Sequence, residues 1–176
     1  MFHYDKLQVA KLFWRCVMKK SCLEKSLKII LIGCAVCGLA IYFYGFPEIG
    51  RQVIAKYPEF HNWFFPWLIF LWITGIPCFA VLVYGWKITA TLGNDTIFSH
   101  KNASRLRSAS YLAAGDAFFL FIGNLILLLC NMNHPGVVII SLGISLVGLA
   151  ISVVCQGLAL LTDNAADLQE QSDFTI

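Results

Sequence analysis

Charged residues are scarce in this 176-residue sequence. Lysine, arginine, aspartate and glutamate together make up 13% of the residues, whereas hydrophobic residues make up 59%. The charged share is about half of the roughly 25% that globular domains carry. A surface that faces water needs more charge than this, because polar groups must cover much of the exterior. The composition therefore excludes an ordinary water-soluble domain.

The sequence also lacks the local motifs that carry much of enzyme chemistry. It contains no P-loop, no glycine fingerprint for dinucleotides, no GxSxG and no HExxH. The four histidines are scattered and show no metal-ligand spacing. Cys34 and Cys37 stand in the middle of an apolar run, where thiolates are disfavoured. We therefore expect no enzyme, no catalytic or metal-binding residue and no cofactor.

Residues 47–62 contain no cysteine. They form the longer of the two segments that are predicted below to lie on the external side of the membrane. Five of the seven cysteines lie inside apolar runs, and the other two lie in the basic N-terminal segment. An oxidising compartment would act on external cysteines. No disulfide framework is predicted.

Four long apolar runs are present instead. Each contains at least 20 residues, so that it would reach about 30 Å as a helix, the thickness of the hydrocarbon layer. Within such a run only a helix satisfies all backbone polar groups. The sequence predicts an all-α polytopic membrane protein, with a four-helix transmembrane bundle over residues 27–161. The predicted spans are residues 27–46, 63–84, 111–130 and 137–161.

Basic residues are distributed unequally between the two sides of these spans. Eleven lysines and arginines lie in the N-terminal segment up to Lys28 and in the connecting hairpin, residues 86–110. The other long connection has only Arg51 and Lys56, and the turn at 131–136 has none. The positive-inside rule then predicts an N-in/C-in topology, with both termini and the hairpin in the cytoplasm.

The segments outside the spans carry opposite charges. Residues 1–26 are basic and amphipathic, which indicates either a helix in the inner headgroup layer or an ordinary topogenic flank. Residues 162–176 form an acidic tail with four acidic residues and no basic one. We hypothesise that this tail docks on the basic hairpin or on the N-terminal helix through salt-sensitive charge pairs.

Asp116 is the single acidic residue within a predicted span and is a candidate functional residue for that reason. It lies five residues past Tyr111, about 7 to 8 Å inside the cytoplasmic edge. Gln156 lies at a matching depth on the oppositely directed fourth span. We expect an Asp116–Gln156 hydrogen bond, with proton or ion sensing, or simple interfacial exposure, as the alternatives.

Asn124 is a second polar candidate, on the same face of the third span as Asp116. A series of small residues follows on the fourth span. Small residues let two membrane helices approach closely, so packing between these spans is the expected role. The series consists of Ser141, Ser145, Gly148 and Ser152.

Two segments resemble a known family. Residues 97–107 (IFSHKNASRLR) resemble the F-s-x-x-N-a-x-r-L-r segment before the third helix of the bacterial four-span family known as domain of unknown function 2975. The ending, residues 168–176 (LQEQSDFTI), resembles that family's terminal L-q-e-E-n-D-L-T-I, with Phe174 where leucine is usual. The resemblance implies a protein of the bacterial cytoplasmic (inner) membrane that accompanies a small helix-turn-helix regulator. It implies no catalytic or binding residues.

Three functions stay open on these observations. The first is a membrane sensor or regulatory component whose hairpin and tail bind a cytoplasmic transcriptional regulator, with no direct contact to nucleic acid. The second is self-protection (immunity) against a toxic peptide, through residues 47–62. The third is a small transporter subunit that uses Asp116. A homo-oligomer also stays open. The candidate partner-binding residues are Asn102, Arg105, Arg107, Asp173, Phe174 and Ile176.

Overall fold

The computed structural model describes residues 20–92 and 97–173, which form five α-helices joined by short turns. Most of the predicted segment 1–26 and the candidates Phe174 and Ile176 lie outside these ranges. A π-helical turn at Ile41–Gly45 joins the first two helices, and a 3₁₀ turn at Pro58–Trp63 joins the next two. The helices are α1 Lys20–Ala40, α2 Phe46–Lys56, α3 Phe64–Thr89, α4 His100–Leu129 and α5 Pro135–Asp173.

Four helical segments are long and apolar enough to cross a membrane. No strand occurs among residues 20–92 and 97–173, so the predicted all-α class with four membrane helices is confirmed. Each predicted span lies within one of these segments, except that the third span extends one residue beyond Leu129. They are Cys22–Lys56, Pro58–Thr89, His100–Leu129 and Pro135–Ser172.

Large apolar side chains cover the outside of the bundle. Ile76 is 70% exposed, Val153 71% and Leu129 75%. An apolar surface of this extent would be unstable in water, where monomeric proteins expose only small apolar patches. Lipid tails solvate such side chains without cost, so the exposed surface is the one that faces hydrocarbon.

The interior is built from small residues, mostly where α4 packs on α5. Buried positions recur every seven residues on both helices. A seven-residue period keeps one seam of each helix against its partner and favours a left-handed crossing. On α4 and α5 these positions are Ala103, Ser110, Ala117 and Asn124, and Ser145, Ser152, Ala159 and Ala166.

Two contacts show how closely the two backbones approach. The hydroxyls of Ser110 and Ser152 lie 3.0 Å apart, and Ser152 Oγ also donates to the Ser110 carbonyl at 2.9 Å. A Cβ placed on Gly148 would lie 3.2 Å from Ala117 Cβ. The predicted close packing through small residues of the last span is therefore confirmed.

The contact between α1 and α3 centres on Gly75. A Cβ at this glycine would lie 3.1 Å from the Tyr42 ring, so a larger residue would require the ring to shift by a few tenths of an ångström. Tyr42 sits in the π-helical turn, where its carbonyl accepts from Trp72 Nε1 at 3.2 Å and its hydroxyl lies 3.3 Å from Thr74 Oγ1. Pro77 follows within α3, and the helix continues through it.

The connection predicted as an external loop is helical. α2 and the 3₁₀ turn fill most of it, and α2 packs against the start of α3 at Gly50, where a Cβ would lie 2.6 Å from Phe64. The Tyr57 ring stacks 4.8 Å from the His134 ring in the α4–α5 turn. The sequence predicted no helix in this connection, and α2 is stabilised there because its apolar face packs against Phe64 and Trp67.

Cysteine plays little part in the described fold. Cys34, Cys37, Cys78, Cys130 and Cys155 are free thiols. Cys22, near the start of α1, is disulfide-bonded. One cross-linked cysteine among those that the structure describes is not a disulfide framework.

The packing of α4 on α5 predicts that substitutions of two glycines in α5 have different effects on stability. Gly148→Leu should lower the free energy of unfolding by about 1 to 3 kcal/mol, since the added side chain overpacks the contact with Ala117. Gly143→Leu should leave it nearly unchanged, because no described atom lies within 4 Å of its Cβ position. Thermal unfolding in detergent measures both, and equal effects would contradict the seam.

Candidate functional site

One end of the bundle gathers polar groups from four helices. Lys28 near the start of α1 lies 5.6 Å from the Trp86 ring near the end of α3, and His100 at the start of α4 contacts Asp163 near the end of α5. We call residues 86–92, 97–107 and 162–173 the polar cap. α4 and α5 are roughly 45 and 58 Å long, against about 30 Å of hydrocarbon. The polar cap therefore lies beyond the membrane-spanning parts of both helices.

Asn102 holds the hairpin together from inside. Ser99 caps α4, because its hydroxyl accepts from the Asn102 backbone N–H at 3.4 Å. The Asn102 side chain is 1% exposed, and its Nδ2 donates to Thr91 Oγ1 at 2.7 Å and to the Ile97 carbonyl at 3.0 Å. Both ends of the connection between α3 and α4 are thus tied to one buried amide.

Arg105 extends this network to the end of α3. Its guanidinium donates to Asn102 Oδ1 at 2.9 Å and to the Lys87 carbonyl at 3.1 Å, which satisfies a carbonyl in the last turn of α3. The partner-binding role predicted for Asn102 is wrong, because the residue is buried and bonds within the hairpin. The same hydrogen bonds direct Arg105 inward, where it stabilises the hairpin.

Charged side chains join the hairpin to the last turns of α5. Arg107 NH2 lies 3.2 Å from Asp163 Oδ2, and His100 Nδ1 lies 2.7 Å from Asp163 Oδ1. His100 Nε2 also lies 3.5 Å from Asp167 and 3.6 Å from Glu170. The hypothesised docking of the acidic tail on the basic hairpin is present at Asp163, Asp167 and Glu170. The candidate Asp173 is the last residue of α5.

The carboxylates around His100 shift its protonation. The hydrogen bond with Asp163 raises the pKa of His100 above its ordinary value, and the charges of Asp163, Glu170 and Asp167 act in the same direction. The pKa of Asp163 is lowered, first by the His100 contact and then by Arg107. Within the described parts of the chain, no three histidine, cysteine, aspartate or glutamate side chains are grouped as metal ligands. The arrangement is an exposed ion-pair network that is centred on one titratable histidine.

Asp116 and Gln156 do not meet. Gln156 is exposed, and Asp116 Oδ1 is buried without a hydrogen-bond partner in the described structure. The predicted Asp116–Gln156 hydrogen bond is wrong, because Ser152 and Ala159 occupy the buried stripe of α5 and Gln156 lies beside that stripe. Asp116 faces a groove between α3 and α4 instead.

Asn124 is buried at the opposite end of the α4–α5 seam. Its Nδ2 donates to the Leu120 carbonyl at 2.9 Å, and its Oδ1 accepts from Asn133 Nδ2 at 2.9 Å. Asn133 Oδ1 in turn accepts from the His134 backbone N–H. Asn124 is thus buried between the helices, and its polar partner is the turn that joins them.

Sequence comparison gives a family and a curated relative. The chain matches the family described as Protein of unknown function (DUF2975) over residues 48–176. It is 23% identical over 153 residues to the "Uncharacterized membrane protein YoaS" of Bacillus subtilis (strain 168). The alignment covers 86% of this chain and 94% of that relative. No solved structure matches. The matched range contains the hairpin, the last turns of α5 and Asp116.

Asn102→Ala should destabilise the hairpin. It removes the donor to Thr91 and Ile97 and leaves the Arg105 guanidinium short of an acceptor, which should cost about 2 to 3 kcal/mol in unfolding free energy. Amides of residues 97–99 should also exchange faster with deuterium. Ser104→Ala, an exposed change two residues further along α4, is the control and should behave like the wild type.

The His100 network predicts a pH dependence of the polar cap. Because the folded-state pKa of His100 lies above 6.5, its contribution is fully present below pH 6.5 and is lost as the pH rises through the folded pKa. The Asp163 contribution is lost only as the pH falls below 3.8 through its lowered pKa. Amide exchange of residues 163–173, corrected for intrinsic rates, should therefore accelerate as the pH rises above 6.5 through the raised pKa of His100.

His100→Gln should abolish this pH dependence. His61→Gln, which changes an exposed histidine at the other end of the bundle, should preserve it. A pH dependence that survives in His100→Gln would show that another group controls the last turns of α5.

Proposed function

The chain belongs to the family of proteins of unknown function 2975, and we propose that it is a multi-pass protein of the bacterial cytoplasmic membrane whose polar cap binds a soluble regulator. The supporting observation is the length of α5. It continues for residues 162–173 past the predicted span, about 18 Å beyond the hydrocarbon. A membrane anchor alone needs no such extension.

Basic residues support a cytoplasmic position for the polar cap. Arg51 and Lys56 are the basic residues at the other end of the described structure. The cap end carries more than three times as many within the described ranges, which is the bias that the positive-inside rule associates with the cytoplasm. They are Lys20, Lys25, Lys28, Lys87, Lys101, Arg105 and Arg107.

The exposed side of the extension defines the chemistry of the partner. Asp167 and Glu170 are 58% and 65% exposed, and Leu168 beside them is 66% exposed. An acidic surface with an apolar residue complements a basic protein surface. Regulators that bind DNA carry such a basic surface, because it contacts phosphates. A helix-turn-helix regulator held on the polar cap would be sequestered from DNA at that surface.

The helices α4 and α5 connect the membrane-spanning part of the protein to the polar cap. α4 and α5 each run without a break from the cap to the far end of the bundle, and Ser110–Ser152 and Ala117–Gly148 join them along the way. A displacement of one helix against the other would move His100 relative to Asp163. This continuity is what a membrane sensor requires of its cytoplasmic output.

The proposal predicts that charge reversal on the polar cap releases the partner. The full chain in lipid nanodiscs is mixed with a small helix-turn-helix regulator of the kind that the family resemblance implies, and the retained regulator is measured. Asp167→Lys with Glu170→Lys should reduce retention roughly ten-fold or more, because attraction becomes repulsion. Deletion of residues 168–176 should do the same.

The matched control reverses two acidic residues at the other end of the bundle. Glu48→Lys with Glu59→Lys makes the same change of charge on exposed residues of α2 and the 3₁₀ turn. Retention should stay at the wild-type level in this variant. Equal retention in all variants, or loss in the control alone, would contradict a regulator-binding polar cap.

A further inference from the structure

We propose that the groove between α3 and α4 binds the ammonium head of a lipophilic amine that enters from the bilayer. The groove has a volume of about 260 Å³ and opens on the outer surface of the bundle. Apolar side chains from both helices surround one carboxylate. The lining residues are Ile73, Pro77, Tyr111, Leu112, Gly115, Asp116 and Phe119.

The groove contains a carboxylate oxygen that lacks a hydrogen-bond donor. Asp116 Oδ1 is buried and unpartnered among the described residues. Pro77 has no N–H, so the Ile73 carbonyl one turn earlier receives no i+4 amide hydrogen bond from it. Of the side chains that line the groove, only the Tyr111 hydroxyl is a donor, and Tyr111 is 66% exposed at the mouth. A ligand that fits this groove must bring donors, and a positive charge suits the carboxylate.

A primary ammonium supplies what the groove lacks. It has three N–H donors and a positive charge, and charge-assisted hydrogen bonds to a carboxylate such as that of Asp116 are the strong ones. A carboxylate at membrane depth is costly without such a partner. The rings of Tyr111 and Phe119 add favourable faces for a cation.

The size of the groove determines how much of the ligand it can hold. A volume of about 260 Å³ is slightly below the roughly 300 to 1,000 Å³ of sites that enclose a drug-sized molecule. The head and the first carbons of an alkyl chain fit, and the remainder lies along Ile73 and Phe119 in the lipid. Gly115 keeps the entrance open, since no described atom lies within 4 Å of its Cβ position.

The depth of Asp116 favours a single-chain amine over a phospholipid. Asp116 lies five residues inside the edge marked by Tyr111, about 7.5 Å below it. The ammonium of a zwitterionic phospholipid is held outside its own phosphate and does not reach this depth. A long-chain alkylamine has no phosphate, so its head can descend to the carboxylate.

The experiment measures binding of radiolabelled dodecylamine to the full chain in phosphatidylcholine nanodiscs, with empty nanodiscs subtracted. The proposed amine site is independent of the proposed regulator, and the assay contains no partner protein. Asp116→Asn keeps the side-chain shape and should weaken binding roughly ten-fold or more. Gly115→Leu should also weaken binding by filling the entrance, whereas the lipid-facing Gly143→Leu on α5 should leave it unchanged.

A double variant separates a shaped site from simple charge attraction. Asp116→Asn with Gln156→Glu restores one carboxylate at the same depth, on the lipid-facing side of α5. Binding should stay weak in this variant, and dodecanol should not compete with dodecylamine in the wild type. Unchanged binding in a stably folded Asp116→Asn, recovery in the double variant, or equal competition by dodecanol would each overturn the proposal.

Discussion

The close approach of α4 and α5 is the constraint on which the rest of the structure depends. Membrane helices gain nothing from hiding apolar side chains from one another, because lipid tails are equally apolar. Association then relies on backbone proximity and interhelical hydrogen bonds, which only small residues permit. The Ser110–Ser152 pair and the contact of Gly148 with Ala117 provide both.

This seam also decides which polar groups remain for function. It ends at the His100–Asp163 contact on one side and at the Asn124–Asn133 pair on the other, so both ends of the bundle are closed by polar contacts that the seam aligns. Because Ala117 faces α5, its neighbour Asp116 is turned towards the groove with α3. A hydrogen bond to Gln156 was incompatible with that rotation. The unpaired Asp116 carboxylate and the polar cap therefore both follow from the way α4 packs on α5.

Sequence reasoning succeeded where a physical signal is local and failed where it depends on neighbours. Run length predicted the four membrane helices, and opposite charge predicted the contact of residues 163–170 with the hairpin. The seven-residue recurrence from Ala103 to Asn124 was legible in the sequence and would have shown that Asp116 lies off the α5 seam. Asn102 was misread as a partner-binding residue, because nothing in its local pattern indicates burial. The helical form of residues 46–56 was missed, since its apolar face is meaningful only against Phe64 and Trp67.

Composition and the length of the apolar runs by themselves determined that this protein is a helical membrane protein, because the bilayer imposes helix and span length on any such chain. The distribution of lysine and arginine likewise sufficed for the proposed orientation. Only the tertiary structure decided how each helix is rotated about its axis. That rotation depends on the joint fit of all the small residues, and it determines that Asn102 is enclosed, that Gln156 meets lipid and that Asp116 faces a groove.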